Sequence, residues 1–234
     1  METNKNTKGI LFIMTGMAFF SIQDSLIKFI YEDIALFELY LGRTLIQAAI
    51  LLGFVILTKK HITLKTHYPF LTLIRVICFF FGFSFFYISL TFMSLAMTSA
   101  LFFSCPFFMS MFAKFFLKEQ IGIRRWSAIV VGFIGVIIVL DPTWGDFDYF
   151  KLAPVACAIC YSCSMTITKY TSDKDNIYTQ MTWLYIFATI AGLTIFLITG
   201  DGKFNNFTDP TMQFIVREWF TNPSASWPYV LIMG

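Results

Sequence analysis

Residues 76–113 read VICFFFGFSFFYISLTFMSLAMTSALFFSCPFFMSMFA, a stretch without one charged side chain. As a single straight helix it would run about 57 Å, against a hydrocarbon core of about 30 Å. It must therefore turn back on itself, and the polar break at residues 91–94 predicts the turn. A lipid-facing barrel would alternate apolar and polar residues, and this stretch does not alternate. The fold class that follows is an all-α polytopic membrane protein.

The rest of the chain agrees. Of 234 residues, 57% are hydrophobic and 13% are charged. A soluble domain carries about 25% charged residues, and one core of this size cannot hide so much apolar side chain. The same composition excludes disorder. Five scattered Cys in so long a chain exclude a secreted disulfide scaffold. A net charge of +3 gives no nucleic-acid footprint. The lipid bilayer is the expected partner.

Seven spans follow at residues 9–30, 35–57, 70–90, 95–117, 122–140, 152–170 and 177–199, with an eighth opening near Trp227. The first is too long for a cleaved signal and has no small-residue cleavage site after it. Basic residues set the orientation. With the N-terminus in the cytoplasm, Lys5, Lys8, Lys59, Lys60, Lys65, Arg75, Lys114, Lys118, Arg124, Arg125, Lys169 and Lys174 fall on the cytoplasmic side. Only Lys151, Lys203 and Arg217 fall outside, where Glu32, Asp33, Asp141, Asp146 and Asp148 make the loops acidic. The expected location is the inner or plasma membrane. Residues 209–221 predict a short helix lying in the outer interface. Met212, Ile215, Val216, Trp219 and Phe220 share its apolar face, and Asp209 caps it ahead of Pro210.

An internal repeat is also legible. Phe20-Ser21 and Lys28 recur as Tyr161-Ser162 and Lys169, 141 positions on. With one inserted residue, Glu38 meets Gln180 and Arg43 meets Tyr185. Five spans per unit is an odd number, so the second copy enters the membrane from the opposite side. Inverted repeats are a mark of secondary transporters.

Several motifs in order resemble the EamA repeat of the drug/metabolite transporter superfamily. Glu38-Leu-Tyr-Leu-Gly-Arg43 is similar to the start of its second helix. Phe86-Tyr87 with Ser-Leu-Ala-Met-Thr-Ser-Ala is similar to its third-to-fourth hairpin. Ser104-Cys-Pro106-Phe-Phe, Leu117-Lys-Glu119-Gln and Gly132-Phe-Ile-Gly135 resemble the proline, glutamate and glycine signatures that follow. Asp24-x-x-x-Lys28 and Arg125-Trp126 with the downstream Val-Gly-Phe-Ile-Gly resemble the S-adenosylmethionine-uptake type of member. The resemblance implies a first repeat over residues 9–140 and an incomplete second over 150–234. It also implies ten helices in the full family, so this chain is expected to be truncated within the eighth.

Ionisable residues inside spans are costly and usually face the bundle interior, and four stand out: Asp24, Lys28, Glu38 and Arg43. Asp24 and Arg43 both fall roughly 5–7 Å above the midplane, and Lys28 and Glu38 about 12–13 Å above it. Two ion pairs at matched depth are therefore expected, Asp24–Arg43 and Lys28–Glu38. The alternatives are a fixed network joining the first two helices or a solute and ion pathway lined by Asp24 and Arg43. Gln23, Tyr87, Ser104, Tyr161 and Ser162 join the pathway candidates as hydrogen-bonding groups. Pro106 breaks its helix and acts as a kink or hinge.

Cys157-x-x-Cys160-x-x-Cys163 has the spacing of a cluster-binding run. It lies on a membrane helix with no fourth ligand near, so no metal and no cofactor is expected. His61 and His67 read as solvated loop residues, and Asn206-Phe-Thr208 fits a glycosylation acceptor. The function expected is secondary transport of a small polar metabolite, amino-acid-like or S-adenosylmethionine-like, by alternating access. No nucleotide-binding loop is present, which favours coupling to an ion gradient. The partners are then a small-molecule solute and the bilayer, with a homodimer left open. Other classes are an integral-membrane enzyme on a lipid-linked substrate and a non-transporting membrane partner.

Overall fold

A computed structural model of the protein describes residues 2–58, 63–120, 122–140, 149–203, 209–220 and 223–234. Lys59, Lys60, His61, Asp141, Asp146, Asp148 and the Asn206-Phe-Thr208 acceptor lie outside the described residues. The described residues form α1 (Glu2–Ile30), α2 (Leu36–Thr58), α3 (Pro69–Phe92), α4 (Leu95–Phe102), α5 (Cys105–Phe116), α6 (Ile123–Leu140), α7 (Ala153–Thr171), α8 (Ile177–Thr199), α9 (Pro210–Val216) and α10 (Pro223–Met233). A 3₁₀ turn, Tyr149–Leu152, leads into α7.

The uncharged stretch folds back where its polar break lies. α3 ends at Phe92, Met93 turns extended, and the Ser94 hydroxyl caps α4 by accepting from the Met97 amide at 3.2 Å. The fourth expected span is two helices rather than one kinked one. The chain leaves the helix at Phe103-Ser104 and restarts at Cys105, with Pro106 in the first turn of α5. Proline there costs nothing, because the first amides of a helix have no intrahelical acceptor.

Among the described residues, five segments are long and apolar enough to cross a membrane: Gly9–Ile30, Leu36–Thr58, Pro69–Phe92, Leu95–Phe116 and Ile177–Thr199. The fifth expected span has a shorter apolar run, Trp126–Ile138. The sixth is α7, which fails on composition rather than length. Its Ser162, Ser164 and Thr166 are buried. Thr166 and Thr168 donate to the carbonyls of Ser162 and Ser164 at 2.8 Å, so their hydroxyls are satisfied inside the helix. A helix this polar belongs inside a bundle, and α7 packs against α3, α4 and α5.

The interfacial helix is shorter than expected and buries a different face. Asp209 does cap it, accepting from Thr211 N at 2.8 Å and Met212 N at 3.0 Å. The helix stops at Val216, and Arg217 is extended. Phe214 is fully buried with its ring edge-on to Tyr31, whereas Met212 is exposed. The last helix, α10, begins at Pro223, one turn before the expected start near Trp227.

The end of the bundle carrying the α1–α2 turn, here the upper end, holds the main apolar core. Ile27, Ile30, Leu36, Leu39, Leu90 and Val230 meet there at 1% exposure or less. At the lower end the α2–α3 loop is pinned to the α7–α8 turn through Asp175. Its carboxylate accepts from the His67 amide at 2.9 Å, from the His67 ring at 3.0 Å and from the Thr66 hydroxyl. His67 was expected to be solvated. Its ring is exposed, but its amide and one ring nitrogen are bonded to Asp175.

Burial opposes ionisation of Asp175, yet the bonds from His67 and Thr66 outweigh it and hold the carboxyl below its ordinary range. The stabilisation is fully present above the unfolded value of about 3.9 and is lost as pH falls through the lower folded value. Asp175→Asn removes the charge and is expected to cost about 1–3 kcal/mol. In detergent that should lower the melting temperature by roughly 2–10 °C at pH 7. The difference from the parent chain should shrink on acidification below pH 4. An unchanged melting temperature would show that the pinned loops do not hold the lower end together.

Candidate functional site

Helices α2, α3, α7 and α8 enclose a cavity of about 480 Å³, with Phe20 of α1 at its edge. Its size falls within the range of about 300–1,000 Å³ usual for small-molecule sites. Arg43, Gln47 and Tyr40 reach it from α2, and Arg75, Phe79, Phe83 and Tyr87 from α3. The other wall carries Tyr161 and Met165 of α7 with Gln180 and Tyr185 of α8.

Tyr87 is the hub of the upper half. Its hydroxyl accepts from Arg43 Nη1 at 2.5 Å and from Gln23 Nε2 at 3.5 Å, which ties α1 and α2 to α3. The Arg43 guanidinium also lies 5.8 Å from the Tyr87 ring centre, and its Nε is buried without a partner. The lower half is organised by Arg75, which is 5% exposed and donates to the Gln180 carbonyl at 2.5 Å. Gln180 in turn donates to the Asp175 carbonyl at 3.2 Å.

The structure sorts the residues singled out from sequence. Arg43, Tyr87 and Tyr161 line the cavity, and Gln23 is joined to it through Tyr87. Asp24, Ser104 and Ser162 are outside its lining. The Ser162 hydroxyl donates to the Cys105 carbonyl at 3.0 Å, so it seals the α5–α7 contact beside the helix break. Ser104 is buried with its hydroxyl unpartnered.

Neither expected ion pair forms within 4 Å among the described residues. Lys28 donates instead to the carbonyls of Leu90 and, at 3.2 Å, Met93. Those carbonyls end α3 and have no intrahelical donor. Glu38 is buried and accepts from Trp227 Nε1 at 2.9 Å and from the Phe220 amide at 3.2 Å. It therefore fastens the start of α10 to α2. Arg43 spends its bond on Tyr87 rather than on Asp24.

Sequence reading missed Arg75 as a site residue and counted it among the cytoplasmic flanking charges. The signal was Pro69, which opens α3 and puts Arg75 almost two turns inside the helix.

Residues 7–141 match the model of the EamA-like transporter family. The chain belongs to that family. The family resemblance read from the sequence is thereby borne out. The chain is 30% identical to the S-adenosylmethionine uptake transporter of Rickettsia felis over 187 residues, 80% of this chain and 63% of the relative. It is 28% identical to the protein of the same description in Rickettsia prowazekii, over the same shares of both chains. It is also 33% identical to the riboflavin transporter of Rhizobium johnstonii over 127 residues, 54% of this chain and 42% of that one. This EamA-family chain thus spans 63% of the length of its Rickettsia relatives. No solved structure matches it.

Proposed function

We propose that this EamA-family protein is a secondary transporter that moves a small polar metabolite across the cytoplasmic membrane. The observation that carries the reading is the cavity between α2, α3, α7 and α8, which presents Arg43, Tyr87, Arg75 and Tyr161 inside an otherwise apolar bundle. Polar and charged groups inside a bilayer are retained chiefly where they line a solute or ion path. The family, and the transporter names of its relatives, support the same reading.

Part of the helix packing supports two inverted repeats, the arrangement on which alternating access rests. Exchanging α1 with α7, α2 with α8 and α3 with α10 turns the α3–α7 contact into α1–α10 and the α3–α8 contact into α2–α10. Each of these contacts exists, and α2–α8 maps onto itself. The repeat boundaries proposed are 9–140 and 150–234. The basic-residue bias supports an N-terminus in the cytoplasm, with the Asp175 end inside.

The test is uptake of labelled S-adenosylmethionine, riboflavin and nucleotide-like metabolites into cells or proteoliposomes carrying the chain. The expected result is time-dependent accumulation of at least one solute above the empty control. Accumulation of none, with the protein present in the membrane, would overturn the reading.

A further inference from the structure

We propose that the solute of this cavity is an anion built on a flat unsaturated ring, with Arg43 and Arg75 as two successive stations for its negative group. The proposal rests on the transport reading and narrows it to a substrate class. Arg43 is the eighth residue of α2 and Arg75 the seventh of α3, two helices that start from opposite ends of the bundle. At about 1.5 Å per residue each lies about 10 Å in from its own end, so the two are about 15 Å apart along the bundle axis.

Both arginines line the same space, and neither has a carboxylate within 4 Å among the described residues. No Asp or Glu is part of the described wall. The nearest acids, Asp24 and Asp175, are not in the lining, and the Asp175 carboxylate is already taken by His67 and Thr66. Arg75 uses one nitrogen on a backbone carbonyl, and Arg43 uses one on Tyr87 and leaves Nε buried without a partner. A guanidinium has five donors in a planar fork that fits a carboxylate or phosphate. Between the two stations the partly exposed rings of Phe79, Phe83 and Tyr161 stand in mutual contact and offer faces for stacking. A cationic solute would meet two like charges and no counter-charge in that wall.

Two pairs of probes isolate the charge, because each pair shares its ring: riboflavin with flavin mononucleotide, and adenosine with adenosine monophosphate. S-adenosylmethionine supplies a cationic comparison. Binding is measured on the purified 234-residue chain in nanodiscs. The phosphorylated member of at least one pair should bind ten-fold or more tighter than its neutral partner. Arg43→Gln and Arg75→Gln should each cut that preference to about two-fold or less, and Arg75→Lys should restore part of it. Circular dichroism and elution volume establish that the variants are folded, and the pairwise preference of the parent chain needs no variant. Equal binding within both pairs, tightest binding of S-adenosylmethionine, or a preference that survives both glutamine variants would overturn the anion assignment and leave transport standing. Failure of every probe to bind or accumulate would overturn the assignment together with the transport reading.

Discussion

Arg43→Gln is expected to reduce initial uptake by at least ten-fold while the protein still reaches the membrane. The residue sits where α1, α2 and α3 are joined through the Tyr87 hydroxyl, and it is part of the cavity wall. Hydrogen bonds to a charged group contribute about 1.5–3 kcal/mol each, enough for a ten- to hundred-fold change from one lost contact. Glutamine keeps a polar side chain of similar reach but loses the charge and the fork. Tyr87→Phe separates the two roles of the node. It removes only the hydroxyl, so Arg43 keeps its charge, and uptake should fall by a few-fold. Initial rates normalised to membrane abundance by immunoblot decide the matter. Parent-level uptake by Arg43→Gln at equal abundance would remove Arg43 from the solute path.

Gly82→Leu is expected to abolish recovery of folded protein. α3 and α7 share the widest helix contact among the described residues, and Gly82 sits inside it. A β-carbon at position 82 would lie 3.2 Å from Cys160 Cβ, 3.4 Å from the Tyr161 amide nitrogen and 3.5 Å from the Cys157 carbonyl oxygen. A leucine adds three more carbons with no space to take them, and overpacking costs about 1–3 kcal/mol even where a core can adjust. Here the obstacle includes backbone, so the two helices must separate. Small residues at membrane helix contacts permit this close approach. Gly53→Leu is the matched control, because a β-carbon there meets nothing within 4 Å. Monodisperse yield in detergent should collapse for Gly82→Leu and hold for Gly53→Leu. Comparable yields would mean that the α3–α7 contact can loosen without unfolding the bundle.

Features set by local chemistry were readable from the sequence. The turn after Phe92 follows from apolar run length and a polar break, and Pro106 marked the interruption of the fourth span, though not its division into two helices. Position along a helix was also readable, since residue count fixes it. Direction around the helix was not. Lys28 and Glu38 were expected at one depth, yet Lys28 turns to the carbonyls of Leu90 and Met93 at the end of α3 and Glu38 to the indole of Trp227. Each finds a partner on a helix that the comparison of α1 with α2 alone left out. Ser162 was read as a pathway group because it is polar, but the broken helix beside it supplied an acceptor at Cys105. Of the cavity, its upper half was legible through Arg43, Tyr87 and Gln23. Arg75 in the lower half was hidden by its nearness to a loop in sequence.

The pinning of two loops by one carboxylate has a kinetic consequence. The His67 amide donates to Asp175 across 108 positions of chain, so its proton exchanges when that bond between the two loops breaks. Amides held in this way exchange with deuterium at a rate set by the opening equilibrium. A single backbone proton at position 67 is therefore a clock for how often the two loops part, readable by deuterium exchange and mass spectrometry with no substrate.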